Sequence, residues 1–468
     1  MTNNSKSLPP EFLRHTEEVF GHDRFSRFLE AFDEEPPVSI RLNPRKSKKQ
    51  KSQTSILNSQ FSPVPWCPDG FYLSERPNFT FDPLFHAGCY YVQEAASQFI
   101  VHCTRSILDN GHRLLANGDC SLDNGYCLLD NGHRLLANGD CSLDNGYCLL
   151  VNGYCLLVNG YCLDLCAAPG GKSTALRSVL PDDCLLVSNE PIRKRAQILS
   201  ENIQKWGHPN SLVTNNYPQD FARNGLKETF DLILCDVPCS GEGMFRKDAA
   251  AIGEWSPQNV ERCWQLQRQI VSDIWPCLRP GGIIIYSTCS FNTKENEENV
   301  KWIAEHFDAS FINIPTLPDW NICGSLLPGF DAPVYRFIPG LTHSEGLFVA
   351  VLRKKGDNEG QGGTKKAKAI TSALARLNKM ESSPCAKALS IDFDPTQHPV
   401  ADLSYEQAIA YLRREAIVLP PDTPRGIVVV AYQGQPLGIA KNIGSRANNL
   451  YPREWAIKST HIPLLSAS

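Results

Sequence analysis

The 468-residue sequence lacks any run of eighteen apolar residues, which argues against a membrane-spanning helix. It also lacks an apolar stretch at its start: Met1 to Ser7 is polar, so no secretory leader is expected. Charge of one sign is not in large excess. The formal net charge of −4 decides nothing about a nucleic-acid partner until it is resolved along the chain. Collagen-like, disordered and pure coiled-coil compositions are absent too; 42% hydrophobic and 21% charged residues fit two or three globular domains. What is in excess is cysteine, 18 in all. With no leader these thiols are expected to stay reduced, which points to metal ligands or catalysis before disulfides.

Resolved along the chain, the composition is uneven. Residues 1–105 read as a small helical domain, opened by Pro9-Pro10 with Phe12, Leu13, Val19, Phe20, Phe25, Phe28 and Leu29 on helical faces. Within it, residues 39–51 carry Arg41, Arg45, Lys46, Lys48, Lys49 and Lys51 with no acid. Such a run is either a solvated face or a contact surface for backbone phosphates.

Residues 108–163 are a heptapeptide repeat, from LDNGHRL to LVNGYCL, with Asn-Gly in every unit. Asn-Gly favours two-residue hairpins, so a meander is conceivable. Near-identity of the units argues instead for a duplication without selected function, an inert insertion over 106–163. Its six cysteines, Cys120, Cys127, Cys141, Cys148, Cys155 and Cys162, recur at seven and fourteen residues, which matches no zinc-ligand spacing.

From 164 to 353 short apolar runs alternate with helices. Candidate strands are 163–166, 185–189, 231–237, 282–288 and 346–352; candidate helices are 172–180, 191–206 and 257–278. The alternation predicts a doubly wound α/β sheet with ligands at the carboxyl ends of its strands. Residues 354–387, rich in Gly, Lys and Ser, read as a linker. A final α+β domain spans 388–468, with a helix near 404–414 and a strand at 427–433. From 425 onward it has five basic residues against one acid, so the negative total hides a basic end.

Three motifs carry chemistry. In LDLCAAPGGKST (163–174) a strand ends at Cys166 and a turn of small residues opens a helix, whose free N–H groups suit a ligand. The Gly-Lys-Ser within it is not a phosphate loop, because the preceding glycine is missing. Glu190, about twenty residues on and at the end of the next strand, stands where an acid takes ribose hydroxyls; the plainer reading is a cap on the helix that follows. In DLILCDVPCSGEGMFRKD (231–248) a buried strand delivers Asp236, Pro238 and Cys239. In IIIYSTCSF (283–291) the next strand delivers Cys289, fifty residues later. One strand–helix crossover between them places both thiols at one sheet edge. Buried structural cysteines are the plainer reading.

Together these motifs resemble those of the Fmu/Sun family of RNA cytosine-C5 methyltransferases, most closely the bacterial 16S ribosomal RNA enzymes of the F type. The likeness extends to SIRLNP (39–44), GCYYVQEAAS (88–97) and IAKNIGSRANNLYPREWAIK (439–458), the last similar to a PUA-like RNA-binding module. It implies an α/β, Rossmann-like methyltransferase domain flanked by the helical N-terminal domain and an α+β PUA-like domain. The implied cofactor is S-adenosylmethionine, the partner ribosomal RNA. A monomeric cytoplasmic protein with no metal and no membrane contact is expected. By the resemblance, Cys289 is the nucleophile, Cys239 assists release and Asp236 holds the base. Cys166, Ala167, Ala168, Pro169, Gly170, Gly171 and Lys172 form the cofactor turn, Glu190 and Asp236 join it, and Arg41, Arg246 and Lys247 meet RNA.

Two departures stand out. The repeat abuts Asp164, so a strained or frayed first strand is expected. Asn215-Asn216-Tyr217 occupies the place where an acid usually approaches the adenine. Transfer RNA as substrate and a catalytically dead RNA-binding protein therefore stay open beside the ribosomal reading.

Overall fold

The computed structural model describes residues 8–46, 61–116, 160–356 and 364–459, together with 122–123, 126–128 and 134–136. The N-terminal part opens with α1 (Pro10–Phe20) and α2 (His22–Glu30). Proline suits the first turn of α1, where its missing N–H costs nothing. Phe12, Phe20 and Phe28 leave these helices for a shared core with Phe245, Trp255 and Phe291; the Phe12–Phe245 and Phe28–Phe291 centroids lie 4.9 and 5.1 Å apart. Each buried phenylalanine contributes roughly 1.5–3 kcal/mol. Beyond the expected helices there is a four-stranded antiparallel sheet of β1 (Val38–Leu42), β2 (Phe61–Pro63), β3 (Gly70–Leu73) and β4 (Tyr90–Val92), in the order β2-β3-β1-β4. A short α3 (Pro83–His86) precedes β4, and α4 (Phe99–Ala116) follows it, entering the repeat.

Inside the repeat β5 (Leu122–Asp123), β6 (Tyr126–Leu128) and β7 (Arg134–Leu136) pair antiparallel. Leu122 lies opposite Cys127 and Asp123 opposite Tyr126, while the Asn-Gly pair between them, read as a hairpin turn, lies outside the described residues. The last unit does something else. Its Tyr-Cys-Leu end is β8 (Tyr161–Asp164), the central first strand of the main sheet. Strand β8 is not frayed: it pairs in parallel on both sides, and Cys162, Leu163 and Asp164 are fully buried.

The main sheet contains β8, β9 (Leu185–Asn189), β10 (Ser211–Thr214), β11 (Phe230–Asp236), β12 (Leu278–Thr288), β13 (Ala309–Phe311), β14 (Val334–Phe337) and β15 (Leu347–Lys354). Its order is β10-β9-β8-β11-β12-β15-β13, with β14 also on β15; the first five run parallel and β15 runs antiparallel to β12. The reversal of order on either side of β8 makes its carboxyl end a switch point, where such sheets bind ligands.

Helices α5 (Gly171–Arg177), α6 (Arg193–Trp206), α7 (Pro218–Arg223), α8 (Ala249–Glu254), α9 (Pro257–Ile274) and α10 (Glu297–His306) make the crossovers. Ser256 caps α9 by accepting from the Asn259 N–H at 3.1 Å. The helix stops at Ile274, four residues short of the expected end, because Pro276 interrupts the hydrogen-bond ladder.

The segment read as a linker contains structure. Here α11 (Thr364–Arg376) buries Ile370, Ala373 and Leu374 in the core beneath β8 and β11, and Met380 donates its N–H to Val213 of β10. After α12 (Ala386–Leu389), the C-terminal part comprises β16 (Val400–Asp402), α13 (Tyr405–Leu412), β17 (Gly426–Tyr432), β18 (Gln435–Asn442) and β19 (Ala447–Asn449), one sheet in that order. It shares a core with the N-terminal sheet: Ile40, Leu84 and Tyr90 pack with Tyr411, Val428 and Trp455. No helix among the described residues is long and apolar enough to cross a membrane.

Candidate active site

Three strand ends meet at the switch point. Strand β8 ends in the turn Leu165–Gly170, where Gly170 takes a φ of +117°, a conformation that only glycine adopts without strain. The amide of Ala167 is already donated to the Asn189 carbonyl at 2.8 Å, and Pro169 has no N–H. Of the expected backbone donors, these two are unavailable to a ligand. The first-turn amides of α5 have no acceptor within the helix. Burial pushes the Cys166 thiol well up, so it packs and does not react.

Asp164 is fully buried. Its Oδ2 accepts from the Ser173 hydroxyl at 2.6 Å, and its Oδ1 has no partner among the described residues. Burial, and then the nearby charges of Asp236 and Glu190, push its carboxyl up to about 7. This residue carries no signal in the sequence, because it falls inside the run 163–166 read as a strand that ends at Cys166, whereas the strand ends at Asp164 itself. Glu190 ends β9, is 1% exposed, caps the Ile192 N–H at 3.0 Å and faces Arg195 at 3.4 Å. It thus caps the following chain while standing at the carboxyl edge.

Asp236 ends β11. Its Oδ1 accepts from the Ser287 hydroxyl at 2.7 Å and its Oδ2 from the Lys172 ammonium at 2.8 Å. Lys172 is therefore more than a turn residue: its side chain ties the turn to Asp236. Burial lowers the lysine, but Asp236 outweighs that and holds it above its ordinary value; the Cys289 sulfur contributes in the same direction. Cys239 and Cys289 are brought together, their sulfurs 3.2 Å apart in hydrogen-bond contact, both free thiols and both half-buried. The Cys239 thiol is held well up, first by that contact, then by burial, with Cys289 and Glu295 adding to it.

The expected RNA contacts fare differently. Arg41 is 0% exposed. It donates to Gln93 Oε1 at 2.8 Å, Ser178 Oγ at 2.8 Å, Thr174 Oγ1 at 2.6 Å and the Gly171 carbonyl at 3.3 Å, and stacks over Trp206. It is a clamp between the N-terminal sheet and α5, not a phosphate contact; burial lowers it to about 10. Lys46 of the same run donates to the Ala87 and Lys205 carbonyls, and Arg45 pairs with Asp182. Lys48, Lys49 and Lys51 lie outside the described residues. Arg246 pairs with Glu345 at 3.0 Å with its side chain buried, so it too is structural. Lys247 is exposed.

Removing a buried cation from such a network leaves its acceptors orphaned. Arg41→Ala should lower unfolding free energy by about 3 kcal/mol, and Arg41→Lys should recover only part of it, because an ammonium cannot fork. Chemical denaturation checks this; an RNA-affinity loss with unchanged stability would contradict it.

The positions after β10 are committed elsewhere. Asn215 Nδ2 donates to the Glu190 and Pro191 carbonyls, and Asn216 exchanges two hydrogen bonds with the backbone of Asn378. Tyr217 is 61% exposed.

A five-strand parallel sheet of this order, extended by an antiparallel strand, with a small-residue turn and acids at its switch point, defines a Rossmann-like, S-adenosylmethionine-dependent methyltransferase. Three family descriptions match in tandem: the N-terminal domain of 16S rRNA methyltransferase RsmF at 8–95, 16S rRNA methyltransferase RsmB/F at 157–353, and the methyltransferase RsmF PUA domain at 398–457. The chain belongs to the RsmB/F methyltransferase family. The ribosomal RNA small subunit methyltransferase F of Erwinia tasmaniensis is 26% identical over 512 residues, 96% of each chain. Among solved structures, PH0851 is similar with TM-score 0.57 and 20% identity over 74% of this chain and 66% of that one. A methyltransferase homologue from Pyrococcus horikoshii follows with TM-score 0.50 and 23% identity, over 74% of this chain and all of that one.

Proposed function

We propose that this protein methylates carbon 5 of a cytosine in small-subunit ribosomal RNA through a transient Cys289–cytosine bond. The observation that carries this reading is the sulfur pair at 3.2 Å, set beside the Lys172–Asp236 ion pair at the ends of β11 and β12. The two thiols sit in opposite fields. Lys172 acts on Cys289, whereas the Glu295 carboxylate acts on Cys239. A cation favours the thiolate and an anion the thiol. Cys289 is accordingly the nucleophile and Cys239 the hydrogen-bond donor.

The cofactor fits the residues present. Asp164, Glu190 and Asp236 converge with one ammonium, so the edge is electronegative, and among the described residues the Asp164 Oδ1 has no donor. This suits a cationic amino acid nucleoside: Asp164 would take its ammonium, the turn Cys166–Lys172 its methionine part and Glu190 its ribose. S-adenosylmethionine, when bound, supplies an electrophilic methyl group.

On the RNA side, the target base leaves its stack. The Cys289 thiolate adds to carbon 6, and the ring electron pair moves to carbon 5. Asp236 accepts from the exocyclic amine and holds the base, while the charge that reaches the ring nitrogen is met by a proton from water, returned once carbon 5 is methylated; each carboxylate oxygen has a further lone pair besides those used by Ser287 and Lys172. Carbon 5 then takes the methyl group. Its proton leaves to water, and the released electron pair expels Cys289 as a thiolate, received by the Cys239 S–H. The exposed Lys247 and the C-terminal module would meet RNA phosphates. Bisulfite sequencing of RNA from cells with and without the gene tests the reading: one cytosine of small-subunit RNA should lose protection, and loss at a transfer RNA position instead would overturn it.

The Asp164 assignment adds a pH dependence. An ammonium binds the carboxylate form, and in the free protein that carboxyl titrates at about 7. Cofactor affinity should therefore be level above pH 7 and fall about tenfold per unit below it. Calorimetric titration at pH 6 and 8 checks this, and Asp164→Asn should flatten the profile.

A further inference from the structure

Two buried acids lie behind the sulfur pair; of them only the charge of Glu295 enters the chemistry above, and the hydrogen bonds of neither do. Glu242 is three residues past Cys239, on the loop that follows it, and Glu295 is on the loop that follows Cys289; both are buried. Neither makes an ion pair among the described residues. Instead each reaches across to the other cysteine's loop. Glu242 accepts from the backbone N–H of Phe291 and of Asn292, the latter at 3.1 Å, and from Trp255 Nε1 at 3.0 Å. Glu295 accepts from the Ser240 N–H at 3.0 Å, from the Ser240 hydroxyl, and from Gln267 Nε2 at 2.8 Å. Gln267 gives a second bond from the same nitrogen to the Pro238 carbonyl, so Cys239 is gripped on both sides.

The Asn292 amide joins the two acids, donating to Glu242 Oε1 at 2.9 Å and Glu295 Oε1 at 2.8 Å. The loops also touch directly: the Gly243 N–H meets the Cys289 carbonyl at 2.6 Å, and a Cβ on Gly243 would stand 2.5 Å from that oxygen. Burial, and then the charge of Glu242, push Glu295 up to about 7. Burying two carboxylates side by side is costly, and it is offset here by hydrogen bonds, most of them from the two loops that carry the thiols and one each from Trp255 and Gln267.

We propose that Glu242 and Glu295 are reciprocal positioning residues: Glu242 sets Cys289 for addition to the base, and Glu295 sets Cys239 for release. The inference rests on the roles given above to the two cysteines. It predicts that the two acids are separable by step, although they share one cluster.

Glutamine keeps the volume of either acid but turns one acceptor into a donor that faces an N–H. The test is a single-turnover reaction of the full chain with S-adenosylmethionine and unmethylated small-subunit ribosomal RNA, the covalent adduct being followed on denaturing gels. Glu295→Gln should form the adduct at nearly the parental rate and prolong its lifetime about tenfold or more, the scale of a small misplacement in a reacting pair. Glu242→Gln should slow adduct formation about tenfold or more and leave its breakdown unchanged. Ser240→Ala, which removes a single hydroxyl, should lengthen the adduct lifetime in the direction of Glu295→Gln and serves if glutamine prevents folding. In a Cys239→Ala background Glu295→Gln should add nothing further. Equal slowing of both steps in both variants, with a lowered melting temperature, would mean a structural role only and overturn the inference. If Cys239→Ala itself accumulates no adduct, the roles of the cysteines fail; if it does and Glu295→Gln does not, only the positioning role fails.

Discussion

Cys289→Ala should abolish methyl transfer, by about four orders of magnitude or more, the scale on which a covalent nucleophile contributes. It should form no covalent complex with RNA. Cys239→Ala should also stop turnover, yet for the opposite reason: it should trap the RNA as an adduct that survives denaturing gels. The asymmetry follows from charge: Lys172 acts on Cys289 and Glu295 on Cys239, although the two sulfurs touch at 3.2 Å. Once Cys289 has attacked carbon 6 it is a thioether, and its expulsion as a thiolate needs a donor. Cys239, held as a thiol, is that donor. Without it the leaving sulfur is poorly stabilised and the adduct persists. Gel analysis with labelled RNA, for each variant, reads both outcomes at once. The reverse pattern, an adduct with Cys289→Ala and none with Cys239→Ala, would exchange the roles.

How much of this was legible beforehand differs by residue. Strands were legible wherever both faces are buried, because the β-branched run of Ile283–Ile285 has few other uses, and the ends of β9 fall where the apolar run ends. Asp236, Cys239 and Cys289 were legible because topology alone carries consecutive parallel strand ends to one edge. Arg41 was misread because charge in a sequence says nothing of burial: a run of six basic residues resembles a phosphate surface until one of them proves to be a buried fork of donors. Gln267, the one polar residue on the apolar stripe of α9, carried an unread signal; it wires Pro238 and Glu295 together. The linker was misjudged for a related reason. Its Gly-Lys-Ser composition concealed the spaced Ile370, Ala373, Leu374 and Leu377 that seat α11 on the sheet.

The repeat gives a sharper lesson. Its units looked inert, and six cysteines within it inflated the count. Yet Cys162, the last of them, is fully buried in β8, its sulfur 3.4 Å from that of Cys184. A unit ending in Tyr-Cys-Leu is a strand former, and the final copy is the first strand of the catalytic sheet.

Asp236→Asn should lower the methylation rate constant by about a hundred- to a thousandfold, the cost of removing one preorganised electrostatic partner. Two effects add. The amide is a weaker acceptor for the exocyclic amine than the carboxylate, and Lys172 loses the anion that keeps it protonated inside the protein. With Asp236 gone, burial, which lowers that lysine, is opposed only by the weaker pull of Cys289 and Asp164. The Cys289 sulfur then loses part of the positive field that favours an attacking thiolate. The acid limb of the single-turnover rate profile, read at saturating cofactor, should accordingly move upward in Asp236→Asn and in Lys172→Met. An unmoved limb with a weakened RNA affinity would reduce Asp236 to a binding residue. A moved limb in both variants would show that the 2.8 Å Lys172–Asp236 pair, lying between cofactor turn and thiol, sets the nucleophile's charge.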